Sequence, residues 1–238
     1  MNVVAVGVTD VGKIRDENED EFLIRVDLGL FTVADGVGGA AAGEVASHIF
    51  IKTCEALFER QSGWNNTRMQ LTQKCFSKAN THIQNYGINN PNAAGMGCTA
   101  DILTFEDGKF IIGHVGDSRT YLYRGGKITQ ITVDHSVNQE RIDLGLVSKD
   151  IQPQANNAIY LAVGHMKDSP ASIYTDNYQR GDIFLLCSDG LSDMLIESHI
   201  EDIMSRFDDL PHKLSLLINE ANRKGGRDNI TVVLVEIV

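Results

Sequence analysis

Three apolar runs in the sequence lead into an aspartate that has a glycine beside it. They read "FTVADG", "IIGHVGDS" and "IFLLCSDG", and their acids are Asp35, Asp117 and Asp189. A strand interior disfavours both Asp and Gly, and a buried carboxylate costs free energy unless a cation or several hydrogen-bond donors satisfy it. The repetition predicts that three buried strands each deliver a carboxylate at one end.

Two further acidic segments adjoin predicted strands. Glu19 and Asp20 in "RDENEDEF" stand immediately before one strand, and Asp228 in "GGRDNITVV" stands before the last one. Sites made of oxygen atoms alone suit Mg²⁺ or Mn²⁺, and a glycine next to an acid lets the backbone turn sharply and bring a carbonyl to the cation. Two such ions about 3.5–4 Å apart can deprotonate a water and stabilise charge on a phosphoryl group. The pattern therefore favours a two-metal hydrolase.

Other residues whose side chains could bind a metal or take part in catalysis have simpler interpretations. Asp107 in "EDGK" is predicted to lie in a hairpin turn, where Asp-Gly supplies positive φ. We interpret His114 as a core histidine with satisfied hydrogen bonds, and His135 in "VDHS" as a turn residue that at most adjoins the site.

Composition restricts the class of protein. The chain has 238 residues and a formal net charge of −11. This length suffices to bury a core, and the excess of acid argues against nucleic acid or an anionic membrane as the main partner. No segment approaches a run of about 18 apolar residues, and the N-terminus is unlike a signal peptide. We therefore expect a cytoplasmic protein. The cysteines show no zinc spacing and are predicted to be reduced and in the core: Cys54, Cys75, Cys98 and Cys187.

The carboxylates can meet only if strands bring them together. Apolar patterning predicts strands at 3–8, 22–26, 30–34, 99–105, 109–115, 119–123, 127–131, near 173, at 182–187 and from 229 onward. It predicts helices at about 46–58, 67–86, 137–144, 191–195, 200–207, and from 211 to just before "KGG". Hairpin turns between the middle strands weigh against a doubly wound parallel sheet. The order predicts one α+β domain over 1–238, a β-sandwich covered by helices.

The motifs in their order resemble those of a known family. "RDENEDEF", "VADGVGG", "MGCTA", "GHVGDSRTYLYR", "DHS", "LLCSDGLSD" and "GGRDNITVVLVE" are similar to the motifs of metal-dependent Ser/Thr protein phosphatases of the protein phosphatase 2C type, the PPM family, in its short bacterial form. The resemblance runs from about Gly7 to Glu236. It implies two antiparallel sheets flanked by helices, with a binuclear Mn²⁺ or Mg²⁺ centre between the sheets.

The resemblance also implies roles for individual residues. Asp35 would bridge the two ions, and the Gly36 carbonyl would bind one of them. Asp189 and Asp228 would complete the shell of one ion, and Glu19 would reach the other directly or through water. The reaction would be in-line attack of a metal-bridging water or hydroxide on phosphoserine or phosphothreonine, with no covalent phosphoenzyme.

Further residues follow from the same resemblance. Asp117 would form a third, weaker metal site with Asp189. Arg15 would bind the substrate phosphate, because a guanidinium grips two phosphate oxygens at once; the catalytic set is then Arg15, Asp35, Asp189 and Asp228. Residues expected to support the ligands are Asp20, Ser118 and Asn229.

The sequence departs from the family pattern in two places. Animal members often have a histidine, proposed as general acid, where this chain has Val37, which donates no proton; the general acid is left unassigned. The run "YLAVG" from Tyr160 lacks an arginine often found there. Residues 136–157 would form the flap beside the active site, the most variable part of bacterial members.

Alternatives from other classes remain open at this stage. A catalytically inactive regulatory module on the same fold would retain metal binding. A calcium-binding structural protein is disfavoured because no EF-hand loop is present, and a two-metal nuclease is disfavoured by the acidic charge. A nucleoside triphosphatase lacks its phosphate-binding loop. The resemblance favours a monomeric signalling phosphatase that acts on phosphorylated proteins and opposes a bacterial Ser/Thr kinase.

Overall fold

The computed structural model describes residues 2–38, 42–60, 67–146, 158–165 and 171–238. Within them the strands are β1 Val3–Asp10, β2 Asp20–Arg25, β3 Leu30–Val37, β4 Gly97–Glu106, β5 Lys109–Val115, β6 Arg119–Arg124, β7 Lys127–Gln130, β8 Ser172–Asn177, β9 Ile183–Cys187 and β10 Ile230–Ile237. The helices are α1 Gly43–Glu59, α2 Arg68–Asn89, α3 Val137–Asp143, α4 Asp189–Ser192, α5 Glu197–Met204 and α6 Leu210–Arg223. Two 3₁₀ turns occupy Val26–Leu28 and Pro91–Ala93.

The strands form two five-stranded sheets. One has the order β1-β10-β9-β6-β7 and the other the order β2-β3-β4-β5-β8. Every pairing is antiparallel. The prediction of a sandwich of two antiparallel sheets flanked by helices is therefore confirmed.

Three apolar layers hold the fold together. One lies between the β2-to-β8 sheet and helices α1 and α2, and a second lies between the β1-to-β7 sheet and helices α4 to α6. The third fills the space between the sheets, where the Phe184 ring packs edge-on at 5.1 Å from Phe110 and 5.7 Å from Phe105. Aromatic pairs of this geometry add about 0.5–1.5 kcal/mol beyond the burial of their area.

The layer between the sheets is apolar at one end and polar at the other. Side chains alternate between the two faces of a strand, so the face that carries Phe31 and Val33 of β3 also carries Asp35. The same rule places Asp20 of β2 on the face of Phe22 and Ile24. The polar end has corresponding members on the other strands: Thr9, Thr99, Asp101, His114, Thr120 and Thr231.

The long helices begin and end where their local sequence signals them. Thr67 and Gln70 form a reciprocal capping box at the start of α2. The Asp209 carboxylate accepts the His212 amide, and Pro211 occupies the first turn of α6. No helix among the described residues combines the length and apolar character needed to span a bilayer.

Two predictions of local structure are wrong. Asp35 does not end its strand, because β3 continues through Gly36 and Val37, which pair with Cys98 and Gly97. The helix expected at 191–195 begins earlier and is shorter, since α4 starts at Asp189 and ends at Ser192. The four cysteines are buried and free, as predicted. The predicted flap is described only at 136–146, where it contains α3; residues 147–157 lie outside the described part of the chain.

Candidate metal centre

Asp20 and Asp35 are direct neighbours across the β2–β3 pair. Both side chains face the space between the sheets, and Asp20 is only 8% exposed. The Ser188 hydroxyl donates to the Asp20 carboxylate at 2.7 Å. Like charges directly opposite each other destabilise a sheet, so the two carboxylates oppose strand pairing when both are ionised.

Asp189 and Asp228 are brought together by a close backbone approach at Gly190. A Cβ atom at Gly190 would lie 1.9 Å from the Asn229 carbonyl oxygen, so only glycine fits there. Asp189 is the first residue of α4, and Asp228 precedes β10 by two residues. The glycine beside the acid thus permits close packing of two chain segments, where the sequence interpretation expected a sharp turn.

Gly36 serves the same purpose next to Asp35. A Cβ on Gly36 would lie 2.3 Å from the carbonyl carbon of Gly43, the first residue of α1, and 2.7 Å from the Glu19 carbonyl oxygen. The Gly36 amide donates to that Glu19 oxygen at 3.1 Å, and the Ser47 hydroxyl donates to it at 2.7 Å. The Glu19 carboxylate lies against Gly43, where an added Cβ would be 2.6 Å from its Cδ atom. Glu19 is therefore fixed between β3 and α1.

Asn229 holds the loop that carries Glu19. Its Oδ1 atom accepts the Glu19 amide at 2.9 Å, and its Nδ2 atom donates to the carbonyls of Val11 and Glu17. The side chain of Asn229 therefore ties the segment before β2 to the segment before β10. This geometry accords with the supporting role that the sequence predicted for it.

Arg15 lies beside Asp228 at the rim of the cluster. Its Nη2 atom donates to the Asp228 carboxylate at 2.6 Å, and the side chain is 53% exposed. An exposed ion pair of this kind contributes at most about 1 kcal/mol to stability. A guanidinium has five N–H donors, so Arg15 keeps donors for a second anion while it is bonded to Asp228.

Asp117 lies in the turn between β5 and β6, and it is 7% exposed. Gly116 has φ of +106°, and an added Cβ would be 2.4 Å from the Cβ of Thr99. The hydroxyls of Ser118 and Thr99 share a hydrogen bond at 2.5 Å. Ser118 therefore anchors the turn to β4, as a supporting residue of Asp117 would.

The carboxylates perturb one another's ionisation. Burial, followed by repulsion from Asp20, Asp189, Asp117 and Asp228, holds the pKa of Asp35 well above its ordinary value. Burial and the charges of Asp117, Asp193, Asp228 and Asp20 do the same to the pKa of Asp189.

Three more acids of the site have raised pKa values. Burial raises the pKa of Asp20 to about 6, against opposing hydrogen bonds from Thr231 and Ser188. Burial and the charges of Asp134 and Asp193 raise the pKa of Asp117 to about 7. Burial also raises the pKa of Glu19. A cluster in which each carboxylate opposes ionisation of the next is one that a cation would relieve.

The donor set fits hard divalent cations. It consists of carboxylate and carbonyl oxygens, which suit Mg²⁺ and Mn²⁺ rather than softer metals. Among the residues that the structure describes, no three carboxylate, imidazole or thiol side chains converge closely enough to bind one ion by themselves. Mg²⁺ in proteins commonly takes one or two carboxylates and keeps several waters, and pairs of these carboxylates are available for that arrangement.

Sequence reasoning missed several residues of the site. Ser188 and Thr231 form hydrogen bonds with Asp20, and Thr99 forms one with Ser118. His135, expected only to adjoin the site, binds both backbone groups of Gly116. Thr99 and Thr231 had a detectable signal, because each continues the alternation of a strand whose apolar members face the other sheet. His114 is buried, and its two ring nitrogens contact Asp101 and the Val133 carbonyl, as the interpretation of a satisfied core histidine requires.

Comparisons with known proteins find similarity over most of the chain, in both sequence and fold. A profile of the family "Protein phosphatase 2C" matches residues 15–221. The chain is 34% identical to the serine/threonine phosphatase stp of Listeria monocytogenes serotype 4b over 96% of this chain and 93% of that protein. The crystal structure of the Mycobacterium tuberculosis serine/threonine phosphatase PstP/Ppp superposes with a TM-score of 0.90 at 31% identity, covering 99% of this chain and 98% of that one. A PstP catalytic domain in complex with two manganese ions gives a TM-score of 0.89 at 32% identity, with the same coverage.

Proposed function

This chain belongs to the protein phosphatase 2C family and is a serine/threonine protein phosphatase, and we propose that the carboxylate cluster at the polar end of its sandwich is the active site. The observation that carries the proposal is the convergence of five aspartates from separate parts of the chain: Asp20, Asp35, Asp117, Asp189 and Asp228. Their mutual repulsion is what divalent cations would neutralise. The reaction is hydrolysis of phosphoserine and phosphothreonine in proteins.

We infer the ligand roles from the geometry of the cluster. The charges of all four other aspartates of the cluster raise the pKa of Asp35, which supports its role as the bridge between two ions. Asp189 and Asp228, which meet at Gly190, would hold one ion. Glu19 and the Gly36 carbonyl would serve the other. Asp117, whose charge acts on Asp189, would form a third site with it.

The ions are Mn²⁺ or Mg²⁺, and the PstP complex with two manganese ions makes Mn²⁺ the first choice. When bound, they supply the Lewis acidity that activates water and neutralises charge on the phosphoryl group. Asp20 would act through its neighbours, because its carboxylate is already engaged by Ser188.

Arg15 would orient the substrate. Its side chain is exposed and reaches the cluster at Asp228 through a single nitrogen. The remaining N–H groups can bind two oxygens of a phosphate in parallel, which positions the phosphorus over the cluster. Val37 ends β3 near the site and has no proton to give, so protonation of the leaving hydroxyl falls to a group other than the side chain at this position.

The inactive regulatory module gains no support. Such a module would be expected to have lost one of the acids that hold the ions, whereas Asp35, Asp189 and Asp228 are all present and gathered at one end of the sandwich.

We further propose that the enzyme acts in the cytoplasm as a monomer and opposes a Ser/Thr kinase. The net charge of −11 and the absence of a membrane-spanning helix among the described residues are compatible with this setting. Cell fractionation, light scattering at micromolar concentration, and dephosphorylation of an autophosphorylated Ser/Thr kinase test the three statements separately.

Phosphate release from a phosphothreonine peptide, with Mn²⁺ or with EDTA, tests the central proposal. The wild type is compared with Asp35→Asn and with Asp107→Asn, a matched change at an exposed hairpin turn where φ is 50°. Metal-dependent turnover that Asp35→Asn abolishes and Asp107→Asn retains supports the active site assigned here. Absence of turnover by folded, metal-loaded wild type on several phosphopeptides and an aryl phosphate would contradict the activity.

A further inference from the structure

We propose that His135 is a positioning residue for the metal ligand Asp117, and that it acts by accepting the Gly116 amide hydrogen with its Nδ1 atom. The inference rests on the proposed role of Asp117 in the metal centre. It assigns a purpose to a histidine that neither binds an ion nor touches the substrate in the mechanism above.

The contact between His135 and Gly116 is made twice. The His135 amide donates to the Gly116 carbonyl at 2.7 Å, and the Gly116 amide donates to His135 Nδ1 at 3.1 Å. Gly116 has φ of +106°, a conformation that other residues rarely adopt. A backbone held in this conformation by both of its polar groups has little freedom to reorient the peptide that follows it, which is that of Asp117.

The remaining hydrogen bonds of His135 fix its tautomer. An amide nitrogen can only donate, so Nδ1 must be unprotonated. Nε2 then carries the proton and donates to the Ser172 hydroxyl at 3.0 Å. Burial and the neighbouring His114 lower the pKa of His135 to about 4, which is consistent with this neutral form.

A second histidine packs against the His135 ring. The His114 ring lies 4.7 Å from that of His135. Its Nδ1 atom contacts the Asp101 carboxylate at 2.6 Å and its Nε2 atom contacts the Val133 carbonyl at 3.0 Å. Both partners are acceptors, so both nitrogens of His114 donate and the ring is an imidazolium. The His135 ring therefore packs, tilted by 36°, against a buried ring that is itself held at both ends.

The other flank of Asp117 is fixed as well. Ser118 bonds to Thr99, and the guanidinium of Arg119 binds the Asp134 carboxylate through two nitrogens. Asp117 thus lies between two anchored neighbours, and one of the two hydrogen bonds on the Gly116 side depends on the Nδ1 acceptor of His135. Loss of that acceptor would free the Gly116 amide and loosen the turn on one side only.

Two substitutions separate the two ring nitrogens. In His135→Asn the amide oxygen can take the place of Nδ1 and accept the Gly116 amide. In His135→Gln the amide reaches the position of Nε2 and can bind Ser172, but offers no acceptor to Gly116. Mn²⁺ binding is measured by calorimetry on the full chain, together with the ¹⁵N shift of the Gly116 amide in the metal-free protein and phosphatase activity as a function of Mn²⁺.

The proposal expects His135→Gln to weaken the lowest-affinity Mn²⁺ site about tenfold, at the lower end of the effect of residues that orient metal ligands. Activity should recover at high Mn²⁺, and the Gly116 shift should move. His135→Asn should retain wild-type binding and shift, and His135→Gln should add nothing in an Asp117→Asn background. Wild-type Mn²⁺ affinity in His135→Gln, or equal defects in both variants, overturns the proposal. Because calorimetry and the shift do not require turnover, failure of the phosphatase assignment would be seen separately as inactive wild type.

Discussion

Asp20 and Asp35 occupy directly opposed positions on β2 and β3, and both carboxylates face the layer between the sheets. A fold rarely retains such a pair for stability, since like charges in this relation oppose strand pairing. On the proposed assignment, a cation bound nearby would offset this repulsion.

Asp35→Asn should stabilise the metal-free protein and abolish its response to metal. Because the surrounding carboxylates and burial oppose ionisation of Asp35, its replacement by a neutral amide is expected to raise the free energy of unfolding by about 0.2–1 kcal/mol at pH 8. Mn²⁺ should raise the melting temperature of the wild type but not of the variant, because ligands that bind only the native state stabilise it. Thermal unfolding with and without Mn²⁺ measures both effects, and Asp107→Asn should behave as wild type; an equal Mn²⁺ response in Asp35→Asn would contradict the assignment.

The stability of the metal-free protein should fall as pH rises from about 4 to 7. The pKa of Asp20 is raised from 3.8 to about 6, so in this window the native state holds a proton that the unfolded chain has lost. Stability then decreases with pH, by on the order of 3 kcal/mol for a shift of this size. Urea unfolding in EDTA at several pH values tests this. Asp20→Asn should weaken the dependence without abolishing it, because the pKa values of Asp35, Asp117 and Asp189 are raised as well. A wild-type stability that rises across the window would refute the prediction.

Arg15→Ala should impair catalysis much more than folding. The Arg15–Asp228 ion pair is exposed, so we expect a stability change below about 1 kcal/mol. Loss of bidentate phosphate binding should lower kcat/KM at least tenfold, or about 1.4 kcal/mol. Steady-state kinetics on a phosphopeptide measures this. Arg25→Ala removes an arginine that binds Asp27, Glu55 and Glu59, and it should leave kcat/KM unchanged; a similar loss in both variants would indicate a nonspecific effect of charge.

Gly190→Ala should disrupt the site by forcing apart the two backbone segments that carry Asp189 and Asp228. The new Cβ would meet the Asn229 carbonyl oxygen at 1.9 Å, so α4 and the segment before β10 must separate. We expect destabilisation by about 1–3 kcal/mol, as for overpacking in a dense interior, and loss of Mn²⁺ binding. Gly29→Ala is a suitable control, because it also adds a methyl group but meets nothing within 4 Å and has only its φ of +61° to strain. Retained Mn²⁺ affinity in Gly190→Ala would show that the spacing of Asp189 and Asp228 is not critical.

Asp101→Asn should leave a buried cation without its partner. Asp101 and His114 have fully buried side chains, and removal of one member of such a pair costs about 3–5 kcal/mol. Although burial lowers the pKa of His114, Asp101, Asp134 and the Val133 carbonyl together raise it by more, so the net shift is upward. The stabilisation is therefore complete below pH 6.5 and is lost as pH rises through the native pKa.

Chemical unfolding of Asp101→Asn at pH 6 and pH 9 tests this pair, with Asp27→Asn as an exposed control. A loss of stability that is as large at pH 9 as at pH 6 would contradict an imidazolium at His114.

Much of the fold could be predicted because it depends on near neighbours in sequence. Period-two alternation located the strands, and the turns "EDGK" and "RGGK" have the positive φ angles expected of Asp107, Gly108, Gly125 and Gly126. Asp35 shows the limit of this approach. The sequence pattern of an apolar run followed by Asp and Gly predicts a strand end, but pairing with β4 carries the strand two residues further.

The sequence alone determined which residues are proposed to carry the chemistry: the aspartates that follow or precede buried strands, the glycines beside them, and the arginine before the first acidic motif. Only the tertiary structure decided how they meet. The Glu19 amide binds Asn229, 210 residues away, and Asp20 binds Ser188, 168 residues away. Such contacts depend on how two sheets stack and on which backbones approach closely enough to exclude a Cβ atom. Local patterns carry no information about that stacking, because side-chain alternation specifies the face on which a carboxylate lies and not the residue it will face.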